Sequence, residues 1–307
     1  MNIVISLIIS MAANWLGGVV RKYFTNRFSG KAATRHIYNA VVSFVSAVVL
    51  FLWGGFGTAS LFTILLGTVF GIVTALQQIA NLKAIETGPW AYTTVITALS
   101  MLIPTLSGVL IWHEQIRALQ IIGILFMVVC LILSVDAGGD TEKRKTTFRW
   151  LLFCGAAFLC TGSIGVMQKW HQSSDFKSEL NAFLIIAFAI SFLYSAVMAL
   201  ILRMKKEAPA DVSDMGGVPA ENKKSAWGAI LLPLLIMVVG GICVSLNNKL
   251  NLYLSGVMPS AVFFPLVNGG GLILTTISAF LLFRERLSLR QWIGLGAGFI
   301  AVLLLCL

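Results

Sequence analysis

Apolar runs follow one another along almost the whole chain, each closed by a short polar or charged stretch. Ten such runs stand at about 2–20, 37–53, 60–81, 89–111, 117–135, 150–168, 181–202, 228–250, 259–283 and 289–307. A helix rises about 1.5 Å per residue, so runs of this length cross a hydrocarbon core of about 30 Å. The pattern therefore predicts ten transmembrane helices. Between the fifth and sixth, Asp136 to Arg149 is polar and holds Gly138-Gly139 and Lys143-Arg144-Lys145. It divides the chain into a first five-helix half, 1–135, a linker, 136–149, and a second half, 150–307. A second polar stretch, Arg203 to Lys224, carries Pro209, Gly216, Gly217 and Pro219 and reads as a loop.

The two halves echo each other. His113-Glu114-Gln115-Ile116-Arg117 and Arg284-Glu285-Arg286-Leu287-Ser288 are charged breaks in matched apolar contexts. Shifted by 171 residues, Glu114, Gln120, Ile122 and Gly123 fall on Glu285, Gln291, Ile293 and Gly294. The same shift sets Gln77-Gln78 beside Asn248-Lys249, so both halves carry polar residues at one depth. An odd number of helices per repeat inverts the second copy in the membrane. The expected fold is an all-α integral membrane protein of ten helices in two inverted five-helix repeats.

Composition agrees with the pattern. The chain is 58% hydrophobic and 11% charged, with mean hydropathy +0.91. Its net charge of +10 points to loop anchoring rather than to nucleic acid, because no basic, aromatic-interleaved soluble domain accompanies it. The loops on one side carry only Arg117, Lys169, Lys177 and Lys249; the other side carries the remaining Lys and Arg. Cytoplasmic loops are rich in Lys and Arg, so this bias puts both termini outside.

Candidate chemistry is sparse. The twelve carboxylates lie outside the middles of the spans, so no central acid offers a proton relay. Five cysteines stand in apolar runs without a CxxC pair, and His36, His113 and His171 are scattered at helix ends. Metal, cofactor and catalytic motifs are not expected, nor is enzyme activity. Uncharged polar residues do enter the spans, where amides must be hydrogen-bonded or wet. Thr93, Thr97, Ser100 and Pro104 share one helical face. The corresponding face holds Phe264, Asn268, Gly271 and Thr275, beside Gly269-Gly270-Gly271. Asn268 and Thr97 would face each other across a central site, with Asn248, Gln77 and Asn14 as further solute contacts and Trp15 and Tyr92 as walls. Lys249 either meets an anionic solute group or snorkels from a helix end.

The length, the five-plus-five plan and the two half-ends, Trp112-His113-Glu114-Gln115-Ile116 and Phe283-Arg284-Glu285-Arg286-Leu287, resemble the drug/metabolite transporter superfamily in its ten-helix EamA-like branch. Leu82 to Thr87 and Tyr253 to Pro259 look like that family's turn between third and fourth helices. The resemblance implies a secondary transporter in a bacterial cytoplasmic (inner) membrane, working by alternating access around a central cavity. Family members keep both termini in the cytoplasm, opposite to the charge bias. The related small multidrug transporters use a first-helix glutamate where this chain has Asn14.

The function expected is movement of a small polar or zwitterionic metabolite, or a drug. The alternative is a non-transporting scaffold or a subunit of a membrane complex, with the same amides holding helices together. Expected partners are the solute and the lipid bilayer, with a homodimer left open and no nucleic acid.

Overall fold

A computed structural model of the chain describes residues 2–28, 32–88, 90–133, 148–204, 223–283 and 288–307. The helices are α1 (Ile3–Phe28), α2 (Ala32–Gly54), α3 (Leu61–Thr87), α4 (Trp90–Leu99), α5 (Leu102–Leu110), α6 (Ala118–Leu133), α7 (Phe148–Gln172), α8 (Leu180–Met204), α9 (Lys223–Val257), α10 (Ser260–Phe283) and α11 (Leu289–Cys306). A 3-10 turn, Lys177–Glu179, leads into α8. Among the described residues there is no strand, and the protein is all-α. Most of the expected linker 136–149, most of the loop 203–224, and the break at Arg284-Glu285-Arg286-Leu287 lie outside the described residues, as does the side chain of Thr275.

Each apolar run is helical. Seven helices, α1, α2, α3, α7, α8, α9 and α11, are long and apolar enough to cross a membrane. Val95–Leu110 and Ala118–Leu133 are shorter apolar segments. Leu52, Leu61, Leu110 and Leu289 point outward, an arrangement that suits a lipid surround.

The sequence predicts one helix over 89–111, and the structure has two, separated at Ser100-Met101. Pro104 has no N–H for the Ser100 carbonyl, and its ring crowds that carbonyl. Ile103 N donates to Ser100 O instead (3.0 Å), and Met101 N donates to Ala98 O (3.2 Å). These three-residue closures tighten the chain locally.

Close contacts fix the direction of each helix. α2 and α8 are antiparallel: Asn39 Nδ2 donates to Ser195 Oγ (2.5 Å), Ser43 and Ser191 share a hydrogen bond (2.9 Å), and Gly54 abuts Asn181. α3 runs parallel to α8, with Gly67 on Phe183 and Gly71 on Ala187. α3 and α7 are antiparallel, with Thr63 near His171 and Gln77 bonded to Thr161. α1 and α9 are antiparallel, with Ser10 against Asn251 and Gly17 against Cys243. α9 runs with α2: Ser46 Oγ donates to Gly241 O (2.9 Å), and Lys249 lies over Trp53. Following these pairs round the bundle, α7 points opposite to α1. The packing also exchanges between halves: α3 packs on α7 and α8, as α9 packs on α1 and α2, while α2·α8 and α6·α11 pair across.

The same directions sort the charges. One end of the bundle holds Arg21, Lys22, Arg35, Lys83, Arg149 and Arg203, at the C-termini of α1, α3 and α8 and the N-termini of α2 and α7. The opposite end holds Lys169, Lys177 and Lys249, and Arg117, whose guanidinium donates to the Leu307 carbonyl oxygen.

Candidate functional site

Polar side chains inside the bundle form short linked groups. Ser10 Oγ of α1 donates to Asn251 Oδ1 of α9 (2.5 Å). Asn247 Nδ2 donates to the Ser10 carbonyl (3.0 Å) and to Ser10 Oγ (3.2 Å), and Asn251 Nδ2 donates to Asn247 Oδ1 (3.2 Å). On the neighbouring face of α9, Asn248 Nδ2 donates to Val244 O (2.9 Å) and Asn248 Oδ1 accepts from Gln168 Nε2 of α7 (3.3 Å). Gln77 Nε2 of α3 donates to Thr161 Oγ1 of α7 (3.2 Å). The groups thus pass from α1 through α9 and α7 to α3. Asn248 lies about 13 Å from the C-terminus of α9, and Gln77 about 24 Å from the N-terminus of α3, by helical rise.

Not every polar atom on these helices is satisfied. Trp15 Nε1, Thr74 Oγ1 and Gln78 Oε1 are buried without a hydrogen-bond partner. Buried polar atoms are almost always paired, and leaving one unpaired costs about 1–3 kcal/mol. The three stand on α1 and α3, helices that also contribute Ser10 and Gln77 to these groups.

The remaining expected contacts are dispersed. Asn14 is exposed and packs near Gly271 of α10, three residues from Asn268 and on the same helical face. Trp15 is next to it in sequence. Asn268 Nδ2 donates to Phe264 O (3.0 Å) and Thr97 Oγ1 donates to Thr93 O (2.8 Å). Each is turned back on its own helix, and no hydrogen bond joins the two among the described residues. Tyr92 is 39% exposed at the far end of α4. So Asn248, Gln77 and Asn14 sit at helix contacts, whereas Thr97 and Tyr92 stand apart from them.

Ion pairs hold both ends. At the basic end, Arg35 of α2 pairs with Glu86 of α3 (2.5 Å). At the opposite end, Lys169 of α7 pairs with Glu114 (2.5 Å), which follows α5. Glu114 also accepts from the Ser260 backbone N–H (2.7 Å) and from Ser260 Oγ (3.3 Å) at the start of α10. His113, at φ 51°, turns the chain so that Glu114 N donates to Gly108 O (3.0 Å). Gly108 leaves room for the carboxylate, since a side chain there would meet Glu114 and Ser260. Glu114 matters here as a link between halves, which its place in a degenerate family-like break does not reveal.

A pocket of about 390 Å³ opens at the same end as Glu114. Its walls include Phe56 and Thr58 from the α2–α3 connection, Glu179 and Asn181 at the start of α8, and Lys249 of α9. Gly55 and Gly57 turn the connection at φ 68° and 70°, in the left-handed region that suits glycine. The sequence signal for this pocket is Gly54-Gly55-Phe56-Gly57, a turn with an aromatic residue at its centre. The ammonium of Lys249 lies 4.1 Å from the Trp53 ring centroid, so this residue points to an aromatic face and a pocket rather than to a distant headgroup.

No family model and no curated protein matches the sequence. Among solved structures, a chain described only as "Crystal structure of protein" superposes with a TM-score of 0.65 over 98% of this chain and 98% of its own, at 13% identity. That likeness is one of fold.

Proposed function

We propose that the protein is a secondary transporter of a small polar or zwitterionic solute, built from two inverted five-helix units and working by alternating access. The observation that carries this reading is the series of polar groups from α1 through α9 and α7 to α3, at stepped depths in the bundle, with unpartnered buried atoms at Trp15, Thr74 and Gln78 on two of these helices. A bundle needing only cohesion gains nothing from orphaned polar atoms in an apolar surround, whereas a solute can satisfy them. Three features support it further. α7 runs opposite to α1, and helix partners exchange between halves. The fourth span is broken, as discontinuous helices are in carriers of this type. Ion pairs latch each end, which suits an occluded conformer. The Lys and Arg bias favours a cytoplasmic side at the end holding Arg35 and Arg149.

The reading is tested by thermal unfolding of the purified protein against pooled metabolites, followed by flux of any binder into liposomes. Binding without flux, or flux unchanged in Gln77→Ala and Asn248→Ala, would reject a carrier working through these groups. The scaffold reading draws on Asn251, Asn248 and Gln77, whose bonds to Ser10, Gln168 and Thr161 hold neighbouring helices together. It requires that no solute cross the bilayer and that alanine substitutions alter stability alone.

A further inference from the structure

The pocket at the Glu114 end carries both signs of charge. Lys249 enters it from α9, and its nearest described partner is the face of Trp53. Among the described residues no carboxylate lies within ion-pair distance of its ammonium. A cation over an indole keeps most of its charge available, since such contacts are worth only about 0.5–2 kcal/mol. Glu179 also lines the pocket. Its Oε2 accepts from Ser60 N (2.9 Å) and Ser60 Oγ (2.8 Å), which fixes the carboxylate at the pocket wall. Two residues on, Asn181 also lines the pocket, with its Oδ1 buried behind the wall. Gly54 opposite admits the Asn181 amide, because any larger residue there would collide with it. Phe56 closes part of the wall with an apolar ring, and Thr58 and Ser178 add hydroxyls.

We infer that this pocket binds an α-amino-acid-like zwitterion, with its carboxylate paired to Lys249 and its ammonium paired to Glu179. A simple anion would meet the Glu179 carboxylate, and a simple cation would meet Lys249. A zwitterion satisfies both. The volume, near the lower end of small-molecule sites, suits a solute of amino-acid size. The inference deepens the transport reading by naming the solute class and its point of entry. As a statement about binding it holds or fails without flux.

The test uses the full chain in detergent, with each common α-amino acid added up to about 10 mM, ten times a 1 mM Kd. For any that raises the unfolding temperature, the amine lacking the carboxylate and the acid lacking the amine are titrated alongside. At least one amino acid is expected to bind, with both truncated partners at least about 10-fold weaker. Lys249→Met and Glu179→Gln should each weaken it by about 10-fold or more, while Gly18→Ala retains it. Absence of binding by every amino acid overturns the proposal. So does equal binding by either truncated probe, or binding unchanged in Lys249→Met. If Lys249→Met does not fold, Glu179→Gln decides by the same criterion. Binding that follows the expected pattern without liposome flux leaves the pocket standing and removes the transport reading instead.

Discussion

Glu114 receives a Lys169 ammonium, a backbone N–H and a hydroxyl in a half-buried setting. Removing one member of such a pair leaves the other charge poorly compensated. Glu114→Gln is expected to cost about 1–3 kcal/mol, less than the 3–5 kcal/mol typical of fully buried pairs. Lys169→Met on that background should cost little more, so a double-mutant cycle should return a coupling of about 1 kcal/mol or above. Additive effects in denaturant unfolding would refute the coupling. Trp150 Nε1 donates to Thr93 Oγ1 at 2.9 Å; Trp150→Phe should lose about 1 kcal/mol through that bond, beyond the packing change, when compared with the same substitution in a Thr93→Val background. At this scale the sequence was partly legible. Amides at Gln77 and Asn248 were visible as polar residues in apolar runs, and both lie at helix contacts. The return of Asn268 and Thr97 to the carbonyls four residues back was not visible, because any Asn, Ser or Thr in a helix has that local option. Glu179 and Asn181 drew no notice, since a charge and an amide beside a polar turn look like ordinary loop residues until the fold brings Lys249 to them.

At the scale of elements, glycine decides how close two helices come. A Cβ on Gly71 would press on the Ala187 carbonyl and on Ile190 across the α3–α8 contact. Backbone cannot yield as a flexible side chain can, so Gly71→Ala should force α3 and α8 apart at a cost of about 1–3 kcal/mol. Gly18, on α1, has open space around it; Gly18→Ala should leave stability unchanged or raise it by up to about 1 kcal/mol. Equal unfolding midpoints for the two variants would contradict this packing. Helices were the most legible part of the chain, because an apolar run long enough to cross hydrocarbon has no alternative to helix there. The split between α4 and α5 rests on a single residue, Pro104, in a segment whose apolar length and polar stripe through Thr93, Thr97 and Ser100 fit one continuous helix equally well. α9 extends to Val257, beyond its expected end at 250; there Asn251 bonds Ser10 of α1, and the Ser255 hydroxyl donates to the Leu252 carbonyl of its own helix.

For the whole molecule, orientation is the property most exposed to measurement. Cytoplasmic retention of the end rich in Lys and Arg would leave Thr58 and Ser174 outside. A cysteine introduced at Thr58 should then react with a membrane-impermeant maleimide added to intact cells, and a cysteine replacing Arg203 should react only after lysis. The reverse pattern would place both termini in the cytoplasm, as in the family that the half-ends resemble. The native cysteines would first be replaced, because Cys306 is exposed.

The hydroxyls and amide that pair α2 with α8 have a mechanical consequence. Asn39 with Ser195 and Ser43 with Ser191 are spaced four residues apart on both helices, close to one helical turn. A slide of a fraction of a turn would strip both bonds at once in a medium with no water to replace them. A slide of a whole turn, about 5.4 Å, would bring Ser43 opposite Ser195 and leave Asn39 and Ser191 to find new partners. The pair therefore behaves as a detent. Small displacements spring back, so any rearrangement of the bundle must either carry α2 and α8 together as one strut or cross a discrete step between them.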